Sequence, residues 1–157
     1  MARAERGGLP LDYETMSVED ICTLKDASGR AVQDCFADDA HLYLWTLNRY
    51  VEQSYSVARA WGFKPSELLT WFKGQRGVGL GNTYRHTTEF VLFCRRGSLP
   101  HLQIIPTTLF QWPRGRHSQK PDEFYAMVEG VTPGRRLDLF AREQREGWQC
   151  WGDAVGD

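Results

Sequence analysis

The stretch from Lys120 to Arg142, "KPDEFYAMVEGVTPGRRLDLFAR", constrains the fold more than any other in the chain. It reads as a helix, a tight turn and a strand. Pro121 suits a first helical turn, and Asp122 and Glu123 place negative charge at the positive end of the helix dipole. Phe124, Met127, Val128 and Val131 recur at helical spacing and form one apolar stripe. Pro133-Gly134 ends the helix, and Leu137-Asp138-Leu139-Phe140 follows as a short apolar strand. A helix with one apolar stripe feeding a buried strand needs a sheet to pack against.

The rest of the chain supplies that sheet. Strands are predicted at Leu42–Thr46, Ser66–Lys73, Thr88–Arg96, Leu102–Ile105, Arg135–Arg142 and Trp148–Gly152, each a short apolar run with turn residues around it. A helix is predicted from about Arg49 to Trp61, with Val51, Tyr55, Ala58 and Trp61 on one face and Gly62 as its stop. "TMSVEDI" opens another: Ser17 is a natural cap, Glu19 and Asp20 lie in the first turn, and Ile21 and Leu24 point inward. Residues 74–82 hold four glycines without the spacing of a phosphate cradle and read as a loop. Strands alternating with helices, several of them apolar on both faces, predict an α/β domain with a mostly parallel sheet. With 157 residues, no internal repeat and no low-complexity linker, residues 1–157 form a single domain.

Charge and cysteine usage narrow the function classes. A formal net charge of −1 excludes a protein that holds nucleic acid by bulk charge, so any such contact must be local. Arg114, Arg116 and His117, with Arg135 and Arg136, are one candidate basic patch; a solvated face is the plainer reading. No apolar run reaches membrane-spanning length, and no signal-peptide core follows Met1, so a soluble intracellular protein is expected. Cys22, Cys35, Cys94 and Cys150 lack CxxC spacing, and the four histidines lack metal-ligand spacing, so neither disulfide nor metal is expected. Six tryptophans exceed what a core of this size needs, which leaves some to stack on a planar ligand.

Chemistry points to the end of the strand that carries Asp138. In open α/β sheets ligands bind at the carboxyl ends of strands, where an acidic side chain can hold a ribose. Asp138 and Arg142 bracket such an end, although ordinary flanking charges would look the same.

Six blocks, in order, carry a resemblance: "DYETMS" (Asp12–Ser17), "LYLWTLNRYVEQSYSVARAWGF" (Leu42–Phe63), "LLTWFK" (Leu68–Lys73), "YRHTTEFVLF" (Tyr84–Phe93), "HSQKPDEFYAMVEGVTPGRRLDLFAR" (His117–Arg142) and "GWQCWGD" (Gly147–Asp153). Together they resemble the N6-adenine methyltransferases related to the catalytic subunit of the eukaryotic mRNA adenosine methylase, in the compact form of bacterial and phage members. The resemblance implies a Rossmann-like S-adenosylmethionine-dependent methyltransferase sheet with flanking helices. It implies a bacterial or phage-infected cytoplasm, S-adenosyl-L-methionine as cofactor, and nucleic acid as substrate, with DNA preferred to RNA.

Residue by residue, Lys120 matches the lysine that meets the cofactor's carboxylate. A cation at a helix start is unfavourable unless an anion joins it, which gives that match a physical reason. Asp138 and Arg142 match residues around the ribose, with Phe140 as an apolar surface beside them. Asp153 stands where the family has asparagine, and Glu143-Gln144-Arg145 departs from the polar residues of relatives. Tyr13 matches an aromatic over the target base, and Trp71, Lys73 and Glu89 match the lining of the same pocket. Trp71 fits a core position equally well, and Glu89 could simply neutralise Arg85.

The family's catalytic tetrapeptide, Asp-Pro-Pro-Trp, occurs nowhere in the chain. The resemblance places it on a central strand just ahead of the "YETMS" loop, so that strand is expected upstream of Met1, or on a partner chain. Two readings remain: an adenine methyltransferase impaired by that loss, and an inactive methyltransferase-like subunit that binds nucleic acid beside an active one.

Overall fold

Alternating apolar residues and helical stripes yield the expected two kinds of element, but their pairing differs from the prediction. The computed structural model describes residues 16–26, 28–75, 83–116, 119–141 and 143–151. Strand β1 (Ala40–Thr46), helix α2 (Val51–Ala60), strand β2 (Lys64–Phe72) and strand β3 (Thr88–Arg96) follow in sequence behind a short helix α1 (Val18–Cys22). Two single-turn helices, Val32–Cys35 and Asn48–Tyr50, flank β1. Strand β4 (Leu109–Phe110), helix α3 (Asp122–Val131) and strands β5 (Arg136–Leu139) and β6 (Trp148–Trp151) complete the described elements.

The sheet is mixed rather than mostly parallel. β3 lies between β1 and β2 and runs antiparallel to both, while β4 adds in parallel to the far edge of β2. β1 and β2 run parallel on either side of β3, joined by the crossover helix α2, as parallel strands require. β5 and β6 form a separate parallel pair. The strand expected at Leu102–Ile105 is absent; those residues are irregular, between Pro100 and Pro106, with Ile104 79% exposed. Their backbone is instead tied to the end of α3 by the Leu102 amide donating to the Val131 carbonyl (2.8 Å).

Pleating sorts the side chains onto two faces. Leu42, Leu44, Leu68, Leu92 and Cys94 face α1 and α2, forming a core with Val57, Ala58, Trp61 and Phe63. Leu92 and Cys94 are fully buried, and each aliphatic side chain so placed contributes about 2 kcal/mol. Tyr43, Trp45, Leu69 and Val91 face the other way and meet Phe124 and Val128 of α3. Helix starts follow their caps: the Ser17 hydroxyl accepts from the Asp20 amide (3.1 Å), as its position before an acidic turn predicts.

β5 shares both cores. Leu139 packs with the α2 cluster, while Asp138, one residue back, is bonded to α3. The strand pairs therefore lie in one layer between the same helices, and no hydrogen-bonded ladder joins β5–β6 to the four-stranded sheet. Among the described residues, β1 has a strand neighbour only at β3, and β5 only at β6.

Candidate functional site

Pleating also assembles the charged cluster. Trp71 pairs with Glu89 across β2–β3, and Trp45 pairs with Val91 across β1–β3, so Trp45, Trp71 and Glu89 share the α3 face. Lys73 continues β2 on the same parity, and Lys120 enters from the residue before the α3 cap, Pro121.

Glu89 bridges both lysines. Its Oε1 accepts from Lys73 Nζ at 3.0 Å and its Oε2 from Lys120 Nζ at 3.2 Å. Lys120 Nζ also lies 4.4 Å from the centroid of Trp45, a cation–π contact. Burial alone would raise the Glu89 carboxyl, but the attraction of Lys120 and Lys73 outweighs it and holds the group below its ordinary range. The anion that the helix-start lysine was expected to need is thus supplied within the chain. Arg85, the alternative partner weighed for Glu89, is not bonded to it.

Trp71 is buried (4% exposed), and its indole N–H donates to the Trp112 carbonyl at 2.8 Å. It supports the cluster from below, with Trp45 edge-on at 5.8 Å. Trp45, half-buried under Lys120, offers the more open ring; the sequence reading placed it on a strand but assigned it no role.

Asp138 sits at the end of β5, where the sequence reading put it. Its Oδ2 accepts from the Tyr125 hydroxyl of α3 at 3.0 Å. Burial raises the Asp138 carboxyl above its usual range, an effect that the Tyr125 bond and Arg145 offset in part. Tyr125 is pushed up in turn by burial and by Asp138. The Arg145 guanidinium lies 3.8 Å from the centroid of the Tyr125 ring and pairs with Asp122 (3.0 Å) and Glu143 (2.7 Å). Neither Tyr125 nor Arg145 was singled out from sequence, because their meeting with Asp138 depends on how α3 packs back over β5.

Phe140 follows β5 with φ of 59°, the one non-glycine residue in the left-handed region among those described, and is 48% exposed. The link from β5 to β6, residues 140–147, is shorter than parallel neighbours usually require, and positive φ at Phe140 and Gly147 lets it turn back.

Aromatic contacts connect the two charged groups along α3. Lys120 covers Trp45, Trp45 meets Phe124 (4.9 Å), Phe124 meets Tyr125 (5.4 Å), and Tyr125 holds Asp138. The structure therefore brings Trp71, Lys73, Glu89 and Lys120 into one cluster and links Asp138 to it through α3. Tyr13, Arg142 and Asp153, named from the sequence, lie outside the described residues.

The candidate basic patch fares differently. Arg136 donates to the carbonyls of Glu129 and Thr132, both at 3.4 Å, and so serves the end of α3. His117 lies outside the described residues. All four cysteines are free, and no group of three or more potential metal ligands occurs among the described residues. No described helix is long and apolar enough to cross a membrane.

The MT-A70 family model matches residues 2–154. The chain is 33% identical over 144 residues to the Type II methyltransferase M.MunI of Mycoplasma sp., covering 85% of this chain and 58% of that protein. It is 30% identical to the N(6)-adenosine-methyltransferase MT-A70-like protein of Arabidopsis thaliana, over 94% of this chain and 22% of the relative. Against the human N(6)-adenosine-methyltransferase catalytic subunit METTL3 it is 30% identical over 67% of this chain and 20% of the relative. The chain thus spans about three fifths of the bacterial relative and less than a quarter of these two eukaryotic ones. The family match over nearly the whole length, with relatives at 30–33% identity, shows that this chain belongs to the MT-A70 family of methyltransferases.

Proposed function

We propose that this chain forms the cofactor-binding part of an S-adenosylmethionine-dependent enzyme that methylates N6 of adenine in DNA. The observation that carries the reading is the Lys73–Glu89–Lys120 cluster on the Trp45 and Trp71 faces, linked through α3 to Asp138. Two lysines and one carboxylate leave a surplus of one positive charge, which one amino-acid carboxylate would neutralise. Lys120 has three donors and gives one to Glu89, so it can accept a second anion without losing the first. Asp138 has its Oδ2 committed to Tyr125, while Oδ1 has no hydrogen-bond partner among the described residues and suits a ribose hydroxyl. The residues present therefore fit the cofactor. Phe140 adds an apolar edge at the same strand end, and Arg142 and Asp153 are assigned to the nucleoside by family resemblance alone.

S-adenosylmethionine supplies an electrophilic methyl group when bound. The chain's own residues bind and orient: Lys120 anchors the carboxylate, Asp138 fixes the sugar, and Glu89 keeps both lysines in place. Lys73 and Trp71 are assigned to the side where the target base enters, and Tyr13 joins them by family resemblance alone. The Asp-Pro-Pro-Trp segment is not in this sequence, so no group here is assigned to activate the adenine nitrogen. We place its strand between the unmatched edges of β1 and β5, which lie in one layer under the same helices.

The reading is tested in two steps. Calorimetry with S-adenosylmethionine should show binding that Lys120→Ala weakens at least tenfold. A strand ending in Asp-Pro-Pro-Trp, joined ahead of Met1 or supplied on a second polypeptide, should then raise transfer of labelled methyl to adenine in duplex DNA. A rise of at least about a hundredfold is expected. Equal transfer to single-stranded RNA would move the substrate from DNA to RNA. Activity of the 157-residue chain alone would show that the catalytic group has been misplaced.

A further inference from the structure

Cross-strand register puts two cationic side chains, with a histidine beside them, at the opposite end of the sheet from the Glu89 cluster. His41 of β1 and Lys64 of β2 are both direct partners of Arg95 of β3, so the three share one face across three strands. Like charges directly opposite one another destabilise a sheet, and the Lys64–Arg95 pair needs a reason. Neither Lys64 nor Arg95 has an ion-pair or side-chain hydrogen-bond partner among the described residues. Both are exposed.

These two residues border a cleft of about 580 Å³, closed on its far side by the turn Gly97–His101. The turn is held in place. The Ser98 amide donates to Asp39 Oδ1 at 2.7 Å, and the Leu99 carbonyl lies 3.1 Å from His41 Nε2. His101 adds a further titratable nitrogen to the lining. Asp38 and Asp39 are the carboxylates beside the turn; Asp39 Oδ1 faces the turn backbone and Asp38 Oδ1 lies 4.0 Å from Arg96, so neither is paired with Lys64 or Arg95. In a chain of net charge −1, the cleft is a local concentration of positive charge.

We propose that this cleft binds a phosphate of the nucleic-acid backbone, outside the reaction site. Arg95 offers a planar fork and Lys64 a point charge, the pair of donors suited to phosphate oxygens. Arg95 lies six residues along β3 from Glu89, about 20 Å at strand rise, or about six base-pair steps of a duplex. The cleft therefore adds a contact that sets affinity and position without reading sequence. Its assignment to nucleic acid rests on the methyltransferase reading; the cation pair does not.

The test uses the full chain and a fluorescently labelled 24-base-pair duplex, followed by anisotropy across a salt series. In Lys64→Gln/Arg95→Gln, affinity should fall at least tenfold. The slope of log K against log salt should flatten by about 1 to 2. Arg59→Gln, which removes a cation from α2, should leave affinity and slope near wild type. The double variant should melt no lower than wild type, because it relieves repulsion, and should bind S-adenosylmethionine normally. Unchanged affinity and slope in the folded double variant would overturn the proposal. So would wild-type protein that binds S-adenosylmethionine but no duplex. Inorganic phosphate raising the melting temperature of wild type alone, with duplex binding equal in both, would make the cleft a free-phosphate site and overturn the backbone assignment. Loss of S-adenosylmethionine binding with the duplex result intact would count against the methyltransferase reading and spare the cleft.

Discussion

Glu89 does two jobs that pull on one carboxylate, and its substitution separates them. It neutralises Lys73 and Lys120 in a half-buried place, so Glu89→Gln leaves two cations facing each other without an anion. Stability should fall by about 1–2 kcal/mol at pH 7 by urea denaturation. The folded carboxyl lies below its ordinary 4.5, so its contribution is complete above that value and lost as pH falls through the lower, folded one. A wild-type stability curve between pH 6 and pH 2 should therefore drop more steeply than that of Glu89→Gln. Asp138 behaves oppositely. Burial raises its carboxyl, so its contribution is present below the unfolded value and lost as pH rises through the folded one. Asp138→Asn should then be neutral or stabilising at pH 7 while weakening S-adenosylmethionine binding at least tenfold, measured by melting and calorimetry on the same sample. A variant that loses stability without losing affinity would show Asp138 to be structural.

At the scale of elements, the local signals were the legible ones. The span of β3, the Ser17 cap, the acidic first turn of α3 and its buried Phe124 and Val128 follow from neighbours three or four residues away or from strict alternation. What the sequence left hidden was pairing between distant segments. Lys120 meets Glu89 only because α3 crosses the face onto which β3 turns its odd-numbered residues, and Tyr125 meets Asp138 only because β5 returns beneath α3. The Leu102–Ile105 reading failed for a related reason: four apolar letters between prolines look like a strand until their backbone is seen bonded to α3. α3 is the common support, and Phe124 is its central contact, touching Tyr43, Trp45, Trp112 and Tyr125. Phe124→Ala should cost about 3–5 kcal/mol. It should also speed amide exchange in β5 and β6 more than in β3, whose ladder is closed on both sides. Uniform loss of protection would show that the sheet parts unfold as one.

For the whole molecule, two cores and one layer make β3 the rigid centre and β5–β6 the attached flank. Leu92, fully buried where β1, β2 and β3 meet, anchors that centre, and Leu92→Ala should cost about 3 kcal/mol in a urea titration. Among the described residues the flank is held to it by side chains, through Leu139 on one face and by Asp138 and Trp148 on the other. A segment laid between β1 and β5 would replace those contacts with two ladders. Native-state exchange should then slow at both edges together when such a segment is added.

Among the described residues the outer edge of β1 has no partner, and a border of backbone amides and carbonyls is not selective by itself: it holds any extended stretch of suitable pattern. A second copy of β1 is one such stretch, so an edge left open invites self-association. On the reading proposed above, a strand that covers this edge would guard the chain against self-association as well as complete its sheet.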